Sequence, residues 1–210
     1  MKNIISIIDY GMGNTFSIQS ALKYVGIESV ITDNEKKIMN SKAIILPGVG
    51  AFPKAMEKIK RKKLDKIILK AHKNKKIIIG ICLGLQLLFE KSYENKLTKG
   101  LGILKGDVVY FNKKNNVKNK FNVGWNKILL NSQVYDQNLK NLGNSYMYFI
   151  HSCYVKVKEQ DIITSYSKFN SSKFISSVKK NNISAYQFHP EKSAKNGIQI
   201  YKSIKKLINN

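Results

Sequence analysis

The chain has 210 residues, enough to bury one substantial core, and a formal charge of +24. So basic a composition invites a nucleic-acid reading, but only Arg61 among 37 basic residues is arginine, and the lysines run the whole length beside 22 asparagines. Bidentate phosphate and base contacts favour the arginine fork, so the composition argues against a nucleic-acid partner, and no run reaches the ~20 apolar residues of a membrane span. No export signal is read in the first residues, and Cys82 and Cys153 are the only cysteines. The expectation is a cytoplasmic protein with two reduced thiols and a single domain over residues 1–210.

In chain order, Ile4 to Ile8 is a short apolar run expected of a strand buried on both faces. Ile18, Ala21, Leu22 and Val25 then repeat at helical spacing before Gly26 closes the turn. Ala43 to Leu46 is a second strand, followed by "PGVGAF" and a long basic amphipathic stretch with Leu64, Ile67, Ile68 and Ala71 on one face. Ile77 to Ile79 and Leu85 to Phe89 repeat strand then helix. This alternation predicts an α/β fold with a mostly parallel central sheet covered by helices on both faces.

The second half predicts antiparallel edge strands at Asp107 to Phe111, Trp125 to Leu130, Tyr146 to Val157, Phe174 to Val178 and Ile183 to Phe188. The last two are joined as a hairpin around Asn181 and Asn182. "NKKNNVKNKFN", Asn112 to Asn122, reads as an exposed loop, and a final helix carries Ile200, Tyr201, Ile204, Leu207 and Ile208 on one face.

Within "GICLGLQ", Cys82 sits where a strand turns sharply into a helix, between Gly80 and Gly84, which remove side chains that would collide in so tight a bend. The following helix N-terminus would favour thiolate over thiol. Taken alone, the same turn also suits a small buried core cysteine. A nucleophile needs a base, and the chain offers His72, among lysines of the basic helix, His151, inside a strand where it is either a satisfied core histidine or lines the site, and His189. His189 closes an apolar strand where Pro190 stops the ladder, and Glu191 follows at a spacing that lets a carboxylate return to the far ring nitrogen. An acyl-transfer site also needs donors for a tetrahedral oxyanion, which the backbone of Gly48, Val49 and Gly50, with the N–H of Leu83, can supply.

The elbow "GICLGLQ", the strand end "PGVGAF" and the late "YQFHPEKS" resemble the class I (triad) glutamine amidotransferases. "IIDYGMGN", "LFEKSYE", "GLGILKG", "VGWNKI" and "YFIHS", in that order, extend the likeness over nearly the whole chain, toward the glutaminase subunits of imidazole glycerol phosphate synthases. The resemblance implies a cofactor-free, metal-free glutaminase in which Cys82 attacks the side-chain amide of glutamine. His189 would move the protons and Glu191 would orient it. Gln86 and Glu94 would grip the amino acid, the latter through its ammonium group, with His151 and Ser152 lining the same substrate site. Ammonia would pass to a (β/α)8 barrel synthase or cyclase in histidine synthesis, docked near Gly11, Met12 and Asn14 of "GMGN" and near Trp125 and Asn126 of "VGWN".

Relatives commonly carry a proline–histidine pair before "GWN", where this chain has Phe121, Asn122 and Val123. A paralogous glutaminase serving a surface-sugar amidating synthase shares the design. A catalytically silent scaffold and a basic nucleic-acid-binding module are the alternatives of another class.

Overall fold

The computed structural model describes residues 4–111 and 121–209. The first half alternates as the apolar runs predict: β1 (Ile5–Ile8), α1 (Thr15–Tyr24), β2 (Ser29–Thr32), α2 (Glu35–Asn40), β3 (Ala43–Leu46), α3 (Phe52–Arg61), α4 (Leu64–Lys73), β4 (Ile77–Ile81) and α5 (Leu83–Leu87). Strands dominate the second half: β5 (Lys91–Ser92), β6 (Thr98–Lys99), β7 (Gly106–Tyr110), β8 (Asn122–Lys127), β9 (Leu129–Leu130), β10 (Tyr146–His151) and β11 (Cys153–Val157). After them come β12 (Ile163–Phe169), β13 (Ser172–Lys180), β14 (Ile183–Tyr186) and the closing helix α6 (Ala194–Asn209).

The main sheet has the order β2-β1-β3-β4-β14-β13-β12-β9. Its first five strands are parallel and its last three run antiparallel to their neighbours, so Ile183–Tyr186, expected among the antiparallel edge strands, is instead an inner strand parallel to β4. Strand periodicity sorts the side chains between the two helical layers. Ile5 and Ile7 of β1, Ala43 and Ile45 of β3, and Ile79 and Ile81 of β4 pack with α1 and α6. Ile8, Ile44, Leu46 and Ile78 face α2, α3 and α4. Two small sheets flank this core: the antiparallel ribbon β8–β10, and β11-β7-β5-β6.

Several boundaries differ from expectation. The basic amphipathic stretch divides into α3 and α4, because the chain turns at Lys63, whose φ of 57° is left-handed. The run Tyr146 to Val157 breaks at Ser152: β10 pairs with β8 while β11 pairs with β7 in another sheet. Alternation reveals faces but not partners, so periodicity alone cannot locate such a break. Likewise the run Trp125 to Leu130 divides into β8 and β9. The helix after Cys82 is only five residues long, so its dipole is a weaker source of thiolate stabilisation than a full helix. Residues 112–120 of the expected loop lie outside the described residues, and Asn122 opens β8.

Candidate active site

Four adjacent parallel strands end on one edge of the sheet, and each contributes a segment to the same place. From β1 comes the "GMGN" loop, from β3 the "PGVG" turn, from β4 Cys82, and from β14 Gln187 and His189. Strand register makes the convergence: Leu46 lies beside Gly80 and Tyr186 beside Ile81. One residue further on, the Cys82 N–H donates to the Tyr186 carbonyl at 2.7 Å.

Cys82 has φ 53° and ψ −107°, a conformation that costs a non-glycine residue about 1–3 kcal/mol and concentrates at functional sites. The bend is possible because Gly84 lets the elbow touch β3. A Cβ there would stand 1.8 Å from the Leu46 carbonyl oxygen. The same packing sets Gly48 against Leu83, where an added Cβ would meet the Leu83 Cβ at 2.5 Å. The "PGVG" turn and the residue after the cysteine are thus neighbours. Leu83 opens α5, and its N–H belongs to the first turn, where no intrahelical acceptor exists.

His189 leaves β14 with its N–H bonded to the Tyr148 carbonyl of β10 at 2.9 Å. The turn Pro190–Lys192 then folds Glu191 back, and its Oε1 lies 2.8 Å from His189 Nδ1, with both side chains 1% exposed. Ser193 donates to the His189 carbonyl at 2.6 Å and accepts from the Tyr148 N–H, which fixes the turn. His189 Nε2 is buried, interacts electrostatically with Cys82, and has no partner at hydrogen-bonding geometry among the described residues. Catalytic hydrogen bonds are commonly long before substrate binds. Burial disfavours the charged ring, but the Cys82 sulfur and the Glu191 carboxylate outweigh it and raise His189 well above its ordinary value.

The remaining sequence-predicted residues divide. Gln86 is buried, and its amide donates to the Cys153 carbonyl at 2.9 Å and to Gln187 Oε1 at 3.0 Å. Glu94 accepts the Phe52 N–H at 2.7 Å, capping α3 just past the "PGVG" turn, and burial raises its carboxyl above the usual range. His151 sits inside the protein: its Nδ1–H donates to the Cys153 carbonyl at 2.7 Å, and its Nε2 accepts from Asn122 at 2.9 Å. Both ring nitrogens are thereby committed, and burial, together with the positive His189, pushes it down to about 3, against the pull of the Cys153 carbonyl. Neutral and internally bonded, His151 organises the site's wall and has no free nitrogen for a substrate. Ser152 marks the break between β10 and β11. His72 lies in α4.

The "GMGN" loop packs on the oxyanion turn. Cβ atoms built at Gly13 and Gly50 would meet Pro47 at 3.2 Å and the Met12 Cε at 2.7 Å, respectively. Lys58 on α3 straps the loop through the Gly11 carbonyl at 2.9 Å. On the ribbon, Val123 faces Ile150 and Trp125 faces Tyr148. Trp125, Val123 and Ile150 are exposed, and Trp125 meets Tyr148 edge to face. Asn126 turns inward and donates to Asn122 at 2.7 Å.

Sequence reasoning missed Tyr10, Asn122 and Gln187. Tyr10 is buried and donates to the Pro47 carbonyl at 2.8 Å; burial, then the Cys82 charge, push its hydroxyl up. Tyr10 and Gln187 each stand within two residues of a recognised motif glycine or histidine, which is the signal that could have found them.

A cysteine on a strained elbow, a histidine oriented by a buried carboxylate and two adjoining turns with backbone donors form the constellation of nucleophilic acyl transfer. The chain belongs to the glutamine amidotransferase class-I family, whose model matches residues 6–203. It is 42% identical over 207 residues to the imidazole glycerol phosphate synthase subunit HisH of Caldanaerobacter subterraneus subsp. tengcongensis, covering 98% of each chain. Identity is 43% over 206 residues to the subunit of that name from Bacillus cytotoxicus, covering 98% of this chain and 95% of the relative. Among solved structures, PurLQS from Thermotoga maritima shares the fold with a TM-score of 0.77 at 22% identity, over 99% of both chains. The same α/β fold appears in a glutamine amidotransferase crystal structure at a TM-score of 0.74 and 16% identity, over 98% of this chain and 99% of that one.

Proposed function

We propose that this chain is the glutaminase subunit of an imidazole glycerol phosphate synthase, acting in the cytoplasm and handing ammonia to a (β/α)8 cyclase in histidine synthesis. The observation that carries the chemistry is the meeting of Cys82 with the His189–Glu191 pair at the ends of neighbouring strands β4 and β14. The near full-length likeness to HisH subunits supports the choice of partner.

In the mechanism, His189 Nε2 takes the Cys82 proton and the sulfur adds to the glutamine carboxamide carbon. The oxyanion so formed is held by the Leu83 N–H and by a peptide N–H of the Gly48–Gly50 turn, each donor worth about 3–4 kcal/mol in comparable sites. The His189 imidazolium then protonates the departing amine, releasing ammonia and leaving a glutamyl thioester on Cys82. Water attacks the thioester with His189 again as base, glutamate leaves, and the thiol is restored. Glu191 keeps the proton on Nδ1, so that Nε2 is the basic nitrogen throughout. Gln86 Oε1 and Glu94 would receive the substrate ammonium.

The exposed apolar side of the β8–β10 ribbon and the "GMGN" loop would seat the partner. The ribbon reaches the nucleophile directly: the Cys82 thiol faces the Ile150 carbonyl at 3.7 Å. Purified chain, alone and with a histidine-pathway cyclase, should release glutamate and ammonia from glutamine, fastest with the ligand-loaded partner. Stable co-purification with an amidating synthase instead of the cyclase would replace this partner, and no glutaminase activity in either complex would overturn the reading.

A further inference from the structure

Behind the nucleophile runs a line of side-chain amides that the triad does not account for. Gln86 Nε2 donates to the Cys153 carbonyl at 2.9 Å and to Gln187 Oε1 at 3.0 Å, and Gln187 Nε2 donates to Cys82 Sγ at 3.6 Å. Gln187 is fully buried, and Gln86 and Cys82 are each 4% exposed. The polarity of this line is determined by its far end. A backbone carbonyl only accepts, so the group of Gln86 beside Cys153 must be the NH2, and its second hydrogen reaches Gln187. The end of Gln187 that meets Gln86 is therefore its carbonyl, and the end that meets sulfur is its NH2.

The sulfur itself has two neighbours of opposite kind. As a thiol it can donate to the Ile150 carbonyl at 3.7 Å; as a thiolate it can only accept, and Gln187 is the neutral donor aimed at it. A donor to an ionised group in a dry site is stronger than one to a neutral group. The helix after the elbow spans only Leu83–Leu87, so a local donor carries more of the burden. If Gln187 served packing alone, a buried amide would be a costly choice over an apolar side chain.

We propose that Gln187 is a catalytic hydrogen-bond donor to the Cys82 thiolate, and that Gln86 is the positioning residue that fixes which end of the Gln187 amide faces the sulfur. The proposal rests on Cys82 being the nucleophile, and it adds a member to the triad's machinery. The titratable groups facing the sulfur are Tyr10, from the end of β1, and His189, after β14. Both are unchanged by substitution at Gln187.

The test is the pH dependence of Cys82 alkylation by iodoacetamide in the full chain, followed by mass spectrometry, with buried Cys153 as internal control. Gln187→Met keeps length and loses the donor. It should slow Cys82 alkylation about tenfold at pH 7, with rates converging on the parent at high pH, and lower kcat about tenfold with KM little changed. Gln86→Met leaves Gln187 in place but free to flip, and should give a smaller displacement in the same direction. Alkylation profiles for both variants that superimpose on the parent, or a slowing equal at every pH, would overturn the proposal. Should Gln187→Met not fold, Gln86→Met decides alone. Absence of glutaminase activity in the parent would fail the functional reading instead, and alkylation distinguishes the two.

Discussion

Replacing Glu191 by Gln removes the charge facing His189 across 2.8 Å, where both side chains are 1% exposed. At an effective dielectric of ~20, a unit pair at that separation interacts by about 6 kcal/mol before desolvation is subtracted. Removing one partner of a buried pair typically costs about 3–5 kcal/mol. The amide also adds a conflict of proton placement. If its NH2 turns toward Nδ1, that nitrogen must accept, and the ring proton moves to Nε2, where the base should be free. A loss near 4 kcal/mol corresponds to about 10³-fold in turnover, read as glutamate formation by the chain in complex with its barrel partner. The pH dependence follows from the same pair. Burial works against the charged ring, but Cys82 and then Glu191 raise His189 from an ordinary value of 6.5, so the charged ring's contribution to folding is full below 6.5 and is lost as pH rises through the raised value. In Glu191→Gln the raised value drops, so the decline in unfolding free energy that sets in above 6.5 should be smaller and should end at a lower pH than in the parent. Turnover within about threefold of the parent in a folded, partner-bound variant would refute the orienting role.

Gly84→Ala places a methyl 1.8 Å from the Leu46 carbonyl; separating the elbow from β3 should cost about 1–3 kcal/mol in unfolding free energy. It should also lower turnover about 100-fold through misplacement of the sulfur, so parent-like values in both assays would contradict the close approach. Trp125→Ala, at a side chain 49% exposed, should weaken partner binding more than tenfold with little loss of Tm, measured by calorimetry and thermal melts. His151 is pushed down to about 3 from 6.5, so the native state resists its protonation and loses stability as pH falls through that interval. In His151→Leu the slope of unfolding free energy between those pH values should be shallower than in the parent; an equal slope would mean that the ring protonates without unfolding.

The parallel half of the fold was legible because its signal is local. Ile5–Ile8, Ala43–Leu46 and Ile77–Ile81 are short apolar runs separated by helical periodicity, and strands buried on both faces permit little else. Strand β12 was hidden because "ITSYSKF" is rich in hydroxyls. Those hydroxyls are buried only because they pair across strands, Thr164 with Ser177 and Ser165 with Ser176, each at 2.6 Å. Such compensation belongs to the pairing and not to either segment. The site shows the same division. Cys82 and His189 announce themselves by the glycines and the proline around them, which the bend and the ladder's end require. Gln187 carries no such mark, since its meaning depends on Gln86 and on the Cys153 carbonyl, which is 67 residues from Gln86 in sequence. The place of His151 is legible only in three dimensions: a strand histidine can be a satisfied core residue or line a site, and here Asn122 and Cys153 occupy both nitrogens.

The central claim is that Cys82 becomes acylated by glutamine. Rapid acid quench of the partner-bound chain during turnover, followed by intact and peptide mass spectrometry, reads that step directly. A glutamyl adduct confined to the peptide containing Cys82, and lost in Cys82→Ala along with ammonia release, is the expected result. Undiminished glutamine hydrolysis by Cys82→Ala, or an adduct formed elsewhere on the chain, would contradict it.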